Sequence, residues 1–289
     1  MQVLVGGLSI GLLYALPALA IVLLWNTAGF FNLAQGDFLA LSAYTLYFLY
    51  MNLKLPFLMA AVITVIVAAA VGFLIDKVLF NPLRKFKASE LLILIATITL
   101  SIFLKNIIRV VGGTKPLSMN NAFGKEPLKI LGAFIMPHTF WIMGISLILI
   151  VMLYYLSQKL VFGVAMRAAA EKKDAAQLMG IRVDNVIGAS FAISLGITAI
   201  AAILSAPVLY LVPEMGDSIG LKAFAATVIG GFGNPAGAVI GGITLGIIET
   251  IVGMFLPSGY KNAITFIILI VFLIFRPNGL FNLKSSEKV

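Results

Sequence analysis

Leu4-Val-Gly-Gly-Leu-Ser-Ile-Gly-Leu-Leu-Tyr-Ala-Leu-Pro-Ala-Leu-Ala-Ile-Val-Leu-Leu24 contains no charged side chain. Wound as a helix, a run of about twenty apolar residues is long enough to cross roughly 30 Å of hydrocarbon. No basic leader precedes it, and Trp25-Asn-Thr-Ala-Gly29 follows in place of a small-residue cleavage site. The stretch therefore reads as a retained helix rather than a removable signal, with residue 1 kept on the mature chain.

The same pattern recurs along the sequence. Spans are expected at 4–24, 38–51, 57–79, 91–110, 139–156, 186–211, 237–256 and 261–275. A shorter run at 221–231 is too brief for a full crossing and reads as a half-helix or a buried re-entrant segment, tolerated only where protein or a water-filled cavity satisfies its backbone. The expected count is eight or nine. Composition agrees: 61% of the 289 residues are hydrophobic and 11% are charged, against roughly a quarter charged in soluble domains. The expected fold is all-α, a polytopic integral membrane helical bundle in which residues 1–289 form a single transmembrane domain. Absence of cysteine excludes thiolate metal sites and leaves the compartment open.

Basic residues orient the bundle, because short cytoplasmic loops collect Lys and Arg. Lys77, Arg84, Lys85 and Lys87 follow the third span, Arg167, Lys172, Lys173 and Arg182 lie between the fifth and sixth, and Arg276, Lys284 and Lys288 close the chain. All three groups are assigned to the inside. The region 112–138, with Lys115, Lys125 and Lys129, then faces out. The three inside groups are mutually consistent only if the chain crosses an odd number of times after residue 212, which favours counting the short segment. The net charge of +9 reflects these loops, and no soluble basic domain exists to hold nucleic acid.

Between two apolar spans stands a polar, alanine-rich insert, Met166-Arg-Ala-Ala-Ala-Glu-Lys-Lys-Asp-Ala-Ala-Gln-Leu-Met-Gly-Ile181. Its composition favours a helix that Gly180 would end. At 3.6 residues per turn, Ala165, Ala168, Ala169, Ala175, Ala176 and Met179 share an arc on which Lys172 intrudes, opposite Arg167, Glu171, Asp174 and Gln177. A smooth alanine face suits docking into a protein groove; a solvated connector is the plainer reading. Elsewhere, Asn32, Gln35, Gly36 and Asp37 lie between the first two spans. Asp37 either caps the second span or meets a solute at membrane depth. Gly230 and Gly231 precede Asn234-Pro235, a break between the short segment and the next span. Glu249 lies within that span and must face protein or water, as a structural partner or a pathway residue. The spacings Gly237 to Gly241 and Gly242 to Gly246 read as close helix packing. The regions 29–44 and 220–249 are both glycine-interrupted, a weak hint of two pseudo-symmetric halves. Lys105 and Arg109 are expected to snorkel to head groups, and His138 is given no chemistry.

In its order of residues the insert resembles the cytoplasmic loop of permease subunits from ATP-binding-cassette importers of branched-chain amino acids. Three further stretches are similar to the same family: Gly29-Phe-Phe-Asn-Leu-Ala-Gln-Gly-Asp-Phe38, the run from Lys222 through Gly230-Gly-Phe-Gly-Asn-Pro235 to Gly242, and Arg276-Pro-Asn-Gly-Leu280. The resemblance implies that 157–184 is a cytoplasmic coupling loop gripped by an ATPase, with Arg167, Glu171 and Gly180 at the matching positions. It implies as partners two ATP-binding-cassette ATPase subunits, a second related permease forming a heterodimer and an extracytoplasmic substrate-binding protein. It also implies a multi-pass location in a prokaryotic cell (inner) membrane. ATP would be hydrolysed by the partners, with no cofactor bound by this chain. Independently, no G-x-x-x-x-G-K-[ST] run exists to cradle phosphate. Substrate-pathway candidates are Asn32, Gln35, Gly36, Asp37, Gly230, Gly231, Asn234 and Glu249. The competing class is a self-sufficient ion-coupled transporter or channel, for which Asp37 and Glu249 are few and far apart in sequence. An intramembrane hydrolase would need a nucleophile and base at suitable spacing, which the sequence does not offer.

Overall fold

Helix formation follows apolar content and chain length almost throughout. In the computed structural model, which describes residues 2–119, 127–130, 133–276 and 279–281, α1 (Gln2–Ala28) runs through the middle of the bundle. It is followed by α2 (Gln35–Tyr47), which ends in a π-helical turn, Phe48–Asn52. Next come α3 (Phe57–Ile75), a second π turn at Asp76–Phe80, the short α4 (Asn81–Lys85) and α5 (Glu90–Gly112). A hairpin of two three-residue strands, β1 (Leu128–Ile130) and β2 (Ala133–Ile135), precedes α6 (Pro137–Lys159). The insert holds α7 (Val161–Glu171) and α8 (Lys173–Leu178), and the chain ends in α9 (Val183–Ser205), α10 (Met215–Gly230), α11 (Pro235–Phe255) and α12 (Lys261–Phe275).

Six helices among the described residues, counting the α3–α4 unit as one, are long and apolar enough to cross a bilayer. The expected span at 38–51 is α2 plus its π turn, and the one at 186–211 ends earlier, at Ser205. The segment expected at 221–231 is the longer α10. Lys125, Lys284 and Lys288, and Pro277 and Asn278 of the C-terminal motif, lie outside the described residues.

Small residues bring the central helices together. One face of α11 sets Gly237 and Gly241 against Gly230 and Ala226 of α10, and the adjoining face sets Gly242 and Gly246 against Ala15 and Gly11 of α1. Both expected small-residue spacings are thus packing seams, one for each neighbour. By contrast, α3, α5 and α6 bury only 22% of their most apolar windows and turn Leu58, Ile66, Ile102, Phe103 and Ile148 outward. Such faces suit lipid tails.

Two helix triplets in opposite senses organise the core. The basic loops mark one end of the bundle, where Lys173 Nζ reaches the carbonyl of Ala28 at the end of α1. α1 runs toward that end and α9 away from it. α2 packs on α9 while α10 packs on α1, and α3 lies along α9 while α11 lies along α1. The triplets α1-α2-α3 and α9-α10-α11 are therefore inverted counterparts, the arrangement common among transporters. The weak likeness of 29–44 to 220–249 joined α2 to α10, its counterpart, but started too late in α10 and ran on into α11. The counterpart of Gly36-Asp37 at the start of α2 is Gly216-Asp217 at the start of α10, which the sequence hides because the flanking residues differ.

The insert also departs from expectation. Lys172 has extended backbone angles (φ −147°, ψ 102°) that separate α7 from α8, so Met166–Ile181 is not one helix. Gly180, at φ +85°, ends α8 as its composition suggested, with the Ile181 amide donating to Ala176 O at 3.0 Å. The alanine face is divided: Ala169 and Ala176 are buried against Phe80, Val183 and Ile187, Met166 is also buried, Ala165 and Ala168 are half-buried, and Ala175 is exposed. Leu178 and Met179, 90% and 85% exposed, form the outward tip.

Candidate functional site

Asn32 and Gln35 are held by a chain of buried hydrogen bonds. Asn32 Oδ1 accepts from the Ala34 amide at 3.2 Å, and its Nδ2 donates to Gln35 Oε1 at 3.3 Å. Gln35 Nε2 donates to Ser194 Oγ at 3.1 Å and Thr198 Oγ1 at 2.5 Å, and Ser194 Oγ donates to Ala20 O at 3.0 Å. Ser194 and Thr198 lie midway along α9, so α2 begins inside the bundle rather than at a surface. It is a half-length helix whose N-terminus lies at membrane depth, with the Ala34 and Gln35 amides donating to Asn32.

Gly36 lies where α2 meets α10. A Cβ there would overlap the carbonyl of Gly216 and crowd Gly220, and a Cβ on Gly216 would overlap the Gly36 carbonyl and the Asp37 amide. Two backbones touch because neither residue has a side chain. Asp37 and Asp217 follow directly, each in the first turn of its half-helix. Asp37 does not act as the cap of α2: Ala34 is at that position, and Asp37, 2% exposed, has one carboxylate oxygen without a hydrogen-bond partner. Ser101, Lys105 and Asp217 face it.

Lys105 and Arg109 do not snorkel. Lys105 Nζ contacts both carboxylate oxygens of Asp217 at 2.7 Å, and one turn on Arg109 Nη2 contacts Glu214 Oε1 at 2.8 Å. These pairs join the outer half of α5 to the start of α10. The Arg109 guanidinium holds the Glu214 carboxyl below its ordinary value. These partners escaped the sequence reading because Glu214 and Asp217 fall in a stretch with no apolar period.

Glu249 is held in a buried ion pair: its Oε1 lies 2.8 Å from Lys222 Nζ, and both side chains are under a tenth exposed. Lys222 also donates to Tyr14 Oη at 3.1 Å, so α1, α10 and α11 meet at one buried ion pair. Its remaining oxygen has no partner. Gly230, Gly231 and Asn234 are at the basic end, away from Asp37. Gly230 packs on Gly237, Gly231 (φ +104°) ends α10, and Asn234 Oδ1 caps α11 by accepting from the Gly237 amide at 3.2 Å. His138 joins α6 to α9 through the Leu204 carbonyl at 2.8 Å. Arg167 donates to the Ser157 carbonyl and borders a largely apolar cavity of 540 Å³ shared with Asn26 and Asn234. Glu171 is exposed on α7. No cluster that could hold a metal ion occurs among the described residues.

A multi-pass bundle with two half-helices meeting inside it is the architecture of a membrane transport protein. The chain belongs to the family described as the permease component of branched-chain amino acid transport systems, whose sequence model matches residues 3–273. It is similar to the high-affinity branched-chain amino acid transport system permease protein LivH of Salmonella typhimurium, at 29% identity over 100% of this chain and 97% of the relative. It is similar likewise to BraD, the permease protein of the corresponding Pseudomonas aeruginosa system, at 31% identity over 100% and 98%. A third relative is the probable branched-chain amino acid transport permease protein LivH of Methanocaldococcus jannaschii, 31% identical over 96% and 91%. No solved structure matches the chain.

Proposed function

We propose that this protein is the membrane-spanning permease subunit of an ATP-driven importer that passes branched-chain or closely related amino acids inward. Family membership over nearly the whole chain is the observation that carries this reading. In it the basic end faces the cytoplasm, the chain begins outside, and nine membrane segments result when the half-length α2 and α10 and the short α12 are counted with the six long helices. Two ATPase subunits, a second related permease and an extracytoplasmic binding protein complete the importer in a prokaryotic cell (inner) membrane.

The coupling role of 157–184 shifts in detail. With Ala169 and Ala176 turned inward, the surface left for an ATPase is Ala175 and the Leu178–Met179 tip, flanked by Glu171 and Gly180. Closure of the ATPases on ATP would push this tip, and α7 and α8 would pass the displacement to α1 and α9, on which they pack. Such a push drives transport only if it favours one arrangement of the bundle over another. Of the two acids an ion-coupled transporter would use, Glu249 is neutralised by Lys222, which weakens that alternative.

Reconstitution tests the assignment. Liposomes holding this chain alone should take up no amino acid, and adding the ATPases, second permease and binding protein should confer ATP-dependent leucine uptake. Replacing Leu178 and Met179 by Ser together, or Glu171 or Gly180 singly, should lower uptake at least tenfold while insertion is unchanged. Ion-driven uptake by the isolated chain would refute the assignment.

A further inference from the structure

Resting on the importer reading, we propose that the junction of Gly36-Asp37 with Gly216-Asp217 is a binding site for a primary ammonium group. Lys105 fills that site in this arrangement as a tethered substitute for the ammonium of the cargo.

Four observations converge. Asp37 is nearly fully buried, yet one carboxylate oxygen has no partner, and an unmatched acceptor on a buried anion is costly unless something visits it. Without Lys105, the charged groups gathered here, Asp37, Asp217, Glu214 and Arg109, sum to two negative charges, so the junction calls for a cation whether Lys105 or another ammonium supplies it. The group already present shows which cation fits: Lys105 Nζ is an R–NH3+ group at 2.7 Å from both Asp217 oxygens. A carboxylate pair accepts such an ammonium through N–H donors. Finally, Asp217 borders a cavity of 260 Å³ that also reaches Ser218, Lys222 and Asn262, which gives an entering molecule space beside the carboxylate.

The α-ammonium of an amino acid is the same chemical group as the tip of Lys105. Entry of the cargo exchanges one ammonium for another at the carboxylate. Lys105 lies seven residues before the end of α5, roughly 10 Å along the axis at 1.5 Å per residue, so the site is below the outer surface and above the middle of the bundle. Gly36 and Gly216 let the two first turns meet, which sets Asp37 near both Asp217 and Lys105.

The test uses the full-length chain in nanodiscs without partners, so that its outcome is separate from ATP-driven uptake. Lys105→Ala should acquire saturable binding of labelled methylammonium that the unaltered chain lacks. Leucine should displace it, whereas 4-methylpentanoate, with the same carbon skeleton and no ammonium, should not. Adding Asp37→Asn to Lys105→Ala should weaken methylammonium binding at least tenfold. If Lys105→Ala fails to fold, Lys105→Gln, which keeps length and a hydrogen-bond donor, takes its place. Absence of saturable binding in a folded variant, equal displacement by 4-methylpentanoate, or indifference to Asp37→Asn would each overturn the proposal. A loss of leucine uptake in the assembled importer with methylammonium binding intact would instead count against the importer reading alone.

Discussion

Lys222 and Glu249 are readable in the sequence as an oddity and in the structure as a pair. The position of Glu249 within an apolar run required a partner, but nothing in the linear order pointed to Lys222, a whole helix away. Removing one member of a buried pair leaves an uncompensated charge and costs about 3–5 kcal/mol, while replacing both with apolar groups of similar volume is often neutral. Glu249→Gln or Lys222→Met should therefore lower the thermal unfolding midpoint in detergent strongly, and Lys222→Met with Glu249→Leu should recover most of it. Gly36 presents the opposite problem, since any side chain is too many. Gly36→Ala places a methyl group where the Gly216 carbonyl is. Overpacking of this kind costs about 1–3 kcal/mol, and here backbone rather than a flexible side chain must yield. Uptake by the assembled importer should fall at least tenfold, and Gly36→Ala with wild-type uptake would mean the two half-helices do not rely on that contact.

Among the elements, the long apolar spans were legible because twenty apolar residues admit few alternatives in lipid. What escaped was the start of α10, expected at 221 and found six residues earlier at Met215, since Glu214, Asp217 and the glycines there read as loop when taken without their partners on α5 and α2. The Asp37 cap failed for a related reason: a carboxylate at a helix start is ambiguous until its neighbours are known. The insert was misread at Lys172, where helix propensity gave way to the turn needed to lay Ala169 and Ala176 on one bundle. The Arg109–Glu214 pair joining α5 to α10 makes a pH prediction. Arg109 holds the folded-state Glu214 below its ordinary 4.5, so its stabilising contribution is full above that value and is lost as pH falls through the lowered one. A double-mutant cycle of Arg109→Gln and Glu214→Gln should show coupling near neutrality and none well below pH 4.5. Coupling that persists in acid would show that the contact is not ionic.

For the whole molecule, absence of cysteine allows single-site labelling without background. In sealed cells an impermeant maleimide should label Lys54→Cys and Lys115→Cys, on the end opposite the basic loops, and should reach Lys85→Cys and Lys172→Cys only after permeabilisation. The reverse pattern would put the insert out of reach of any ATPase. The basic loops gave this orientation from the sequence alone. The inverted pairing of α1-α2-α3 with α9-α10-α11 was beyond it, because inverted halves face different surroundings and keep only Gly-Asp in common at their meeting point.

The hydrogen bonds of Gln35 also bear on how the chain is made. α2 has thirteen residues and carries a carboxylate, too short and too polar to be released into lipid as it leaves the ribosome. The hydroxyls that receive Gln35 belong to Ser194 and Thr198, translated about 160 residues later. Until α9 emerges, the opening segment has to wait in the insertion machinery or at the interface, and biogenesis of the amino-terminal third stays incomplete until the last third is synthesised.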